Sequence, residues 1–310
     1  MGGITRFDPE LDQIIDPASP IEVIATGFRW TEGPVWVKQG AYLLFSDVPA
    51  NIAYRWEEGE GARPFLDPSG LAGPIPAGIR EAGSNGMTLD AQGALLIADS
   101  GTRAIVRLDL ATKRRTVLAS HYARHRFNSC NDVVIGRGGT IYFTDPPYGL
   151  SEGDASPLKE LEFNGVYRMR PNGSGLALVE RRLTRPNGIA LSPAQDRLYV
   201  SNSDPADPRI FACPLAADGS PADSLAPFAD FTAEVARKLP GLPDGLKAAR
   251  SGHLFATGPG GVHILSPAGR KLGLIATGKA IANCCFGEDG RSLFMTSSDS
   301  VARVRLRISG

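Results

Sequence analysis

The chain has 310 residues, room for one large all-β domain or two ordinary ones. Its 33 basic and 33 acidic residues cancel, so it lacks the basic footprint of a nucleic-acid binder. No apolar run approaches the roughly 18 residues of a membrane span, and the opening residues Met1-Gly2-Gly3-Ile4-Thr5-Arg6 carry no basic segment ahead of an apolar core, so neither a membrane nor a secretory route is expected. The four cysteines, Cys130, Cys213, Cys284 and Cys285, include one vicinal pair, too tight for an ordinary disulfide or a zinc knuckle. All four read as reduced, packed thiols of a cytoplasmic protein, monomeric or dimeric.

In chain order, residues 1–18 read as an N-terminal extension whose Leu11, Ile14 and Ile15 can pack on the body that follows. Residues 19–310 read as one domain. A strand over 21–25 comes first, then strands over 41–45, 94–98, 104–108, 140–144, 165–169, 197–201, 209–214, 253–257, 261–266, 292–296 and 301–308. Apolar and β-branched residues fill them, and Gly, Asp, Asn or Pro punctuates their ends. Helical periodicity is confined to a short amphipathic piece over 230–239. So many short strands argue an all-β fold.

Six segments repeat one theme: Glu32-Gly33-Pro34-Val35, Asn85-Gly86-Met87-Thr88, Asn131-Asp132-Val133-Val134, Asn187-Gly188-Ile189-Ala190, Asp244-Gly245-Leu246-Lys247 and Asn283-Cys284-Cys285-Phe286. After each comes an apolar strand, a turn, a second strand and a return. Units of about 40–57 residues built this way match the blades of a β-propeller, and packing blades around an axis buries both faces of each four-stranded antiparallel sheet. The expected architecture is therefore a six-bladed β-propeller around a central metal site. The last unit is one strand short, and residues 21–25 are expected to supply it and close the ring.

If the six Asx or Glu residues open the innermost strands, their side chains meet at one end of the central tunnel. Carboxylates and carboxamides are hard oxygen ligands suited to Ca²⁺, Mg²⁺ or Mn²⁺. Glu32 and Asp244 carry enough charge to neutralise a divalent cation. Asn-Gly and Asp-Gly are also the commonest short turn signals; recurrence in register is what favours the ring. No Gly-x-Ser-x-Gly elbow argues for a serine hydrolase. Tyr148 is the aromatic candidate for the pocket mouth, His121 and His125 are placed to rim it, and Trp36 and Tyr199 read as blade packing. The Gly- and Pro-rich loop over 68–82 is expected to cover the pocket.

The segments Thr31-Glu32-Gly33-Pro34-Val35-Trp36, Asn128-Ser129-Cys130-Asn131-Asp132-Val133-Val134, Phe143-Thr144-Asp145-Pro146-Pro147-Tyr148-Gly149, Arg185-Pro186-Asn187-Gly188-Ile189-Ala190 and Pro243-Asp244-Gly245 resemble the gluconolactonase, senescence marker protein and luciferin-regenerating enzyme family, and among it the bacterial gluconolactonase branch. The resemblance implies one divalent cation, calcium first and Mg²⁺, Mn²⁺ or Zn²⁺ as alternatives, held by Glu32, Asn131, Asn187 and Asp244. It implies Asp244 as catalytic base or nucleophile, Asp132 as its catalytic or substrate-contacting neighbour, and Asn85 as a further substrate-binding residue, with Tyr148 at the mouth. Two departures stand out: Ser129 occupies a position where animal members carry Arg, and Cys130 one where many bacterial members carry Pro.

The function this implies is a metal-dependent hydrolase opening a sugar lactone, such as glucono-1,5-lactone to gluconate. The cation polarises the carbonyl and Asp244 acts on water, or Asp244 attacks directly. The alternatives are hydrolysis of organophosphates or other lactones at the same site, and a non-enzymatic binding propeller. Asp244→Ala separates them, because a binding platform tolerates it and the hydrolase does not.

Overall fold

Strand Leu95–Asp99 shows why each sheet needs two neighbours. Side chains alternate along a strand. Leu95 and Ile97 pack with Val37 and Leu44 on one side, whereas Leu96 and Ala98 pack with Phe127, Val133 and Phe143 on the other. The computed structural model, which describes residues 2–310, satisfies both faces of every sheet by setting six antiparallel sheets as blades around one axis. Six apolar clusters result, one between each pair of adjacent blades.

Counted from the axis outward, blade 1 holds Thr31–Val37, Tyr42–Asp47, Ile52–Glu57 and Gly61–Leu66. Blade 2 holds Ser84–Leu89, Leu95–Asp99, Ala104–Leu108 and Arg115–Ala119. Blade 3 holds Val133–Ile135, Ile141–Asp145, Gly165–Met169 and Ala177–Glu180. Blade 4 holds Pro186–Leu191, Arg197–Asn202, Arg209–Pro214 and Ala226–Asp230. Blade 5 holds Leu246–Ala248, Leu254–Gly258, Gly261–Leu265 and Lys271–Ala276. Blade 6 holds Asn283–Gly287, Ser292–Ser297 and Ser300–Arg305.

The outermost strand of blade 6 comes from the other end of the chain. Glu22–Thr26 pairs antiparallel with Ser300–Arg305, Val23 opposite Ala302. The residues before it are also built into the body. Gly3–Arg6 adds a fifth strand to blade 5, Ile4 opposite Ile275. The 3-10 turn Pro9–Gln13 then delivers Leu11, with Ile14 and Ile15 just beyond it, into the cluster between blades 5 and 6, where each is at most 1% exposed. Among the described residues the one α-helix is Thr232–Ala236, within the stretch that carries helical periodicity. No helix is long and apolar enough to cross a membrane.

Candidate active site

The six innermost strands touch their neighbours in a complete circle, so residues at their starts share one end of the tunnel. The glycine that follows Glu32, Asn85, Asn187 and Asp244 explains how closely the strands approach. A Cβ on Gly33 would stand 1.9 Å from Asn85 O, and one on Gly188 would stand 2.2 Å from Asp244 O. These glycines are places where the next blade's backbone fills the space a side chain needs. Only Gly33 adds a conformational demand, with φ at +50°. The repeated Asx-Gly pairs are thus strand starts in close contact, and not isolated turns.

A second repeated feature holds the ring in register. Ser46, Thr144 and Ser201, on the second strands of blades 1, 3 and 4, donate hydroxyl hydrogen bonds to the carbonyl oxygens of Asn85, Asn187 and Asp244, at 3.0, 2.6 and 2.8 Å. The acid or amide that follows each hydroxyl fastens the approach to the same blade's own site residue. Asp47 accepts from Arg29 N and Trp30 N ahead of Glu32. Asp145 accepts from Asn128 N and Ser129 N ahead of Asn131, and Asn202 from Arg185 N ahead of Asn187. Sequence reasoning missed these residues. The signal was present as Phe45-Ser46-Asp47, Phe143-Thr144-Asp145 and Val200-Ser201-Asn202 at the ends of the second strands.

At this end of the tunnel lies a cavity of about 500 Å³ whose wall includes Glu32, Asn85, Asn131, Asn187 and Asp244, from five blades. Tyr148, Trp30, Arg80, Glu81 and Ser203 complete its polar and aromatic lining, and Val48, Leu242 and Ile281 are among its apolar residues. Glu32, Asn85, Asn131 and Asn187 are each 4% exposed, and Asp244 is more open. Asn85 Oδ1 and Asp244 Oδ1 are sealed from solvent without a hydrogen-bond partner. Glu32 Oε2 accepts only from Gly33 N, at 2.9 Å.

Burial pushes the proton affinity of both carboxylates up. For Glu32 the opposing bond from Gly33 is outweighed, and for Asp244 the nearby charge of Glu32 adds to the rise. Two crowded carboxylates, three carboxamides and two orphaned buried oxygens are a donor set short of positive charge. It fits a hard divalent cation such as Ca²⁺, which takes six to eight oxygens. His and Cys, the usual zinc ligands, are missing from the wall among the described residues.

Other expected site residues fall elsewhere. Asp132 is 2% exposed and is not part of the cavity wall. Its oxygens accept from Val133 N at 2.9 Å and Ile189 N at 3.2 Å, and Lys247 Nζ stands 3.9 Å away. Asn283, which opens the sixth strand, accepts from Lys247 Nζ at 3.3 Å through Oδ1. His121 and His125 lie in a separate two-stranded hairpin, off the cavity wall. Cys130 is fully buried in the apolar cluster between blades 2 and 3. Ser129 is buried too, its hydroxyl donating to Pro146 O and accepting from Gly149 N, which shapes the loop that carries Tyr148. Of the loop over 68–82, Arg80 and Glu81 reach the wall, while residues 72–77 are exposed.

Residues 30–299 match the SMP-30/Gluconolactonase/LRE-like region. The chain belongs to this family. It is 50% identical to the gluconolactonase of Zymomonas mobilis over the whole of this chain and 88% of that one. The structure of a gluconolactonase from Xanthomonas campestris superposes with a TM-score of 0.83 at 30% identity, covering 98% of this chain and 95% of that one. Regucalcin from Agrobacterium tumefaciens, described as a calcium-binding protein, shares the fold at a TM-score of 0.74 and 16% identity, over 94% of this chain and 95% of that one. The family's segments in this chain include Glu32, Asn131, Asn187 and Asp244, four of the five carboxylates and carboxamides at the starts of the inner strands on the cavity wall.

Proposed function

We propose that this family member is a gluconolactonase, hydrolysing a sugar lactone such as glucono-1,5-lactone to its hydroxy acid with the help of one divalent cation. The observation that carries the reading is the convergence of Glu32, Asn85, Asn131, Asn187 and Asp244 on one cavity, two of their buried oxygens unpartnered. The identity to the Zymomonas enzyme supports the substrate class.

Glu32, Asn131, Asn187 and Asp244 would hold the cation. Bound there, a divalent cation supplies a Lewis acid that polarises the lactone carbonyl and steadies negative charge on its oxygen. Asp244 takes the proton as water adds to the carbonyl carbon. The ring C–O bond then breaks, and the ring oxygen leaves as a hydroxyl on receiving that proton. Asn85 directs its free carboxamide oxygen toward a substrate hydroxyl. The Tyr148 hydroxyl is engaged, donating to Ser203 O at 3.2 Å, so the ring face is what lies along the substrate. Asp132, tied to backbone amides and facing Lys247, anchors the strands below the site and leaves proton transfer to Asp244.

The test is the rate of glucono-1,5-lactone hydrolysis in a pH-stat, corrected for spontaneous opening, by chelator-treated protein with and without Ca²⁺. Metal-dependent turnover is expected. No turnover with Ca²⁺, Mg²⁺ or Mn²⁺ would overturn the reading.

A further inference from the structure

Two charged residues on the cavity wall, Arg80 and Glu81, lie outside the cation-binding set. They come from the connection between blades 1 and 2, and hydrogen bonds fix that connection to the loop of blade 3. Arg80 N and Glu81 N donate to Gly149 O at 2.8 and 3.3 Å, and Ser151 N donates to Gly78 O at 2.9 Å. Tyr148, beside Gly149, reaches on to Ser203 of blade 4. Three loops thus form one arch, and the arch holds Arg80 and Glu81 in place.

Within the pair, Arg80 Nη2 donates to Glu81 Oε1 at 3.2 Å. The Arg80 side chain remains 53% exposed, that of Glu81 only 16%, and Glu81 Oε2 is buried without a partner. Among the described residues Arg80 is the one cation on the wall, and it is already neutralised by its neighbour. The pair therefore offers free N–H donors beside a free carboxylate acceptor. Neighbouring sugar hydroxyls, which both donate and accept, match that set. A phosphate matches only half of it, and would bring its charge against Glu81.

Resting on the lactonase reading above, we propose that Arg80 and Glu81 are the specificity-determining pair of this cavity, selecting a neutral polyhydroxylated lactone over a phosphorylated one. Glu81 acts in two ways: it accepts from substrate hydroxyls, and it occupies the guanidinium that would otherwise attract an anion. The pair touches the part of the substrate remote from the reacting carbonyl, so its effect falls on discrimination between lactones.

The experiment compares kcat/KM of wild type, Glu81→Gln and Arg80→Ala on glucono-1,5-lactone and on its 6-phosphate, each corrected for spontaneous opening. Wild type is expected to prefer the neutral lactone by about 100-fold, and Glu81→Gln to narrow that preference by about tenfold or more, through both weaker use of the neutral lactone and better use of the phosphorylated one. Arg80→Ala is expected to raise KM for the neutral lactone several-fold without improving the phosphorylated one, and it carries the test should Glu81→Gln fail to fold. A wild type without preference, or variants that lower both lactones by one common factor as a merely structural role would, overturns the proposal while leaving the lactonase reading intact. No turnover of either lactone by wild type overturns both.

Discussion

Lys247 Nζ, three residues beyond Asp244 in the chain, stands 3.9 Å from Asp132 Oδ2. The ammonium also donates to Leu246 O at 3.1 Å and Asn283 Oδ1 at 3.3 Å. Asp132 in turn accepts from Ile189 N. Blades 3, 4, 5 and 6 are thus tied by one charged group beneath the site.

Removing the ammonium should therefore be felt in stability. Lys247→Met leaves a carboxylate that is 2% exposed without its counter-charge, and a loss of about 1–3 kcal/mol is expected, below the range for broken buried pairs because this one is long and the lysine is partly exposed. Adding Asp132→Asn to the same chain should recover part of the loss, a coupling that a double-mutant cycle in urea would read. Purely additive effects would remove the pair from the account.

The chelated protein should gain from losing a charge at Asp244. In the metal-free state Glu32 and the more open Asp244 share one wall, and loss of solvation raises both, the charge of Glu32 adding to the rise at Asp244. A carboxyl whose folded-state proton affinity is raised holds more protons folded than unfolded. Its contribution is therefore complete below the ordinary carboxylate range and is lost as pH rises through the folded value. Chelated wild type should lose thermal stability as pH climbs above that range, and Asp244→Asn should lose less and melt higher at neutral pH. With Ca²⁺ at 100 times its Kd, wild type should gain about 2.7 kcal/mol, whereas Asp244→Asn should gain little. Equal Ca²⁺ shifts in the two proteins would contradict the placement of the cation.

The fold was legible to the extent that it rests on period-two apolar strands. The expected strand over 104–108 is Ala104–Leu108, and that over 209–214 is Arg209–Pro214. The outermost strands were less readable, because they pack one face only and carry mixed sequences such as Gly61–Leu66 and Arg115–Ala119. Gly3–Arg6, with one residue half-buried and three exposed, gave no apolar alternation to read. At the site, the repeated Asx and Glu residues were visible because they recur in register ahead of apolar strands, four of them beside a glycine. Arg80 and Glu81 were not, because a loop brought to the wall by bonds to Gly149 leaves no periodic trace. Asp132 was visible as a neighbour of Asn131, and its oxygens accept from Val133 N and Ile189 N off the cavity wall.

Gly188→Ala tests the glycine ring. Its Cβ would meet Asp244 O at 2.2 Å and Gly245 Cα at 2.7 Å, both backbone atoms. Blades 4 and 5 must part, at a cost of about 1–3 kcal/mol or more. Asn187 and Asp244 move with them, so Ca²⁺ affinity should fall in the same variant. A urea midpoint and a Ca²⁺ affinity both equal to wild type would show that the close approach is dispensable.

His263 supplies a pH signature of the fold remote from the site. It is 1% exposed, donates from Nε2 to Pro259 O at 2.9 Å, and burial pushes its pKa down to about 4. An unfolded histidine titrates near 6.5, so between about pH 6.5 and 4 the unfolded chain binds the extra proton and stability rises with pH. The advantage of wild type over His263→Gln should shrink by roughly 3 kcal/mol as pH falls through that window. A difference that stays constant from pH 7 to 4 would mean that the ring is not held neutral.

The central claim is that one divalent cation in the ring cavity is required for lactone opening. Ca²⁺ titrated into chelated protein, followed in parallel by calorimetry and by glucono-1,5-lactone turnover, tests it most directly. The account predicts a single site, half-saturation of heat and turnover at the same free Ca²⁺, and loss of both in Asp244→Ala. Full turnover in the chelated protein, or wild-type turnover by Asp244→Ala, would contradict it.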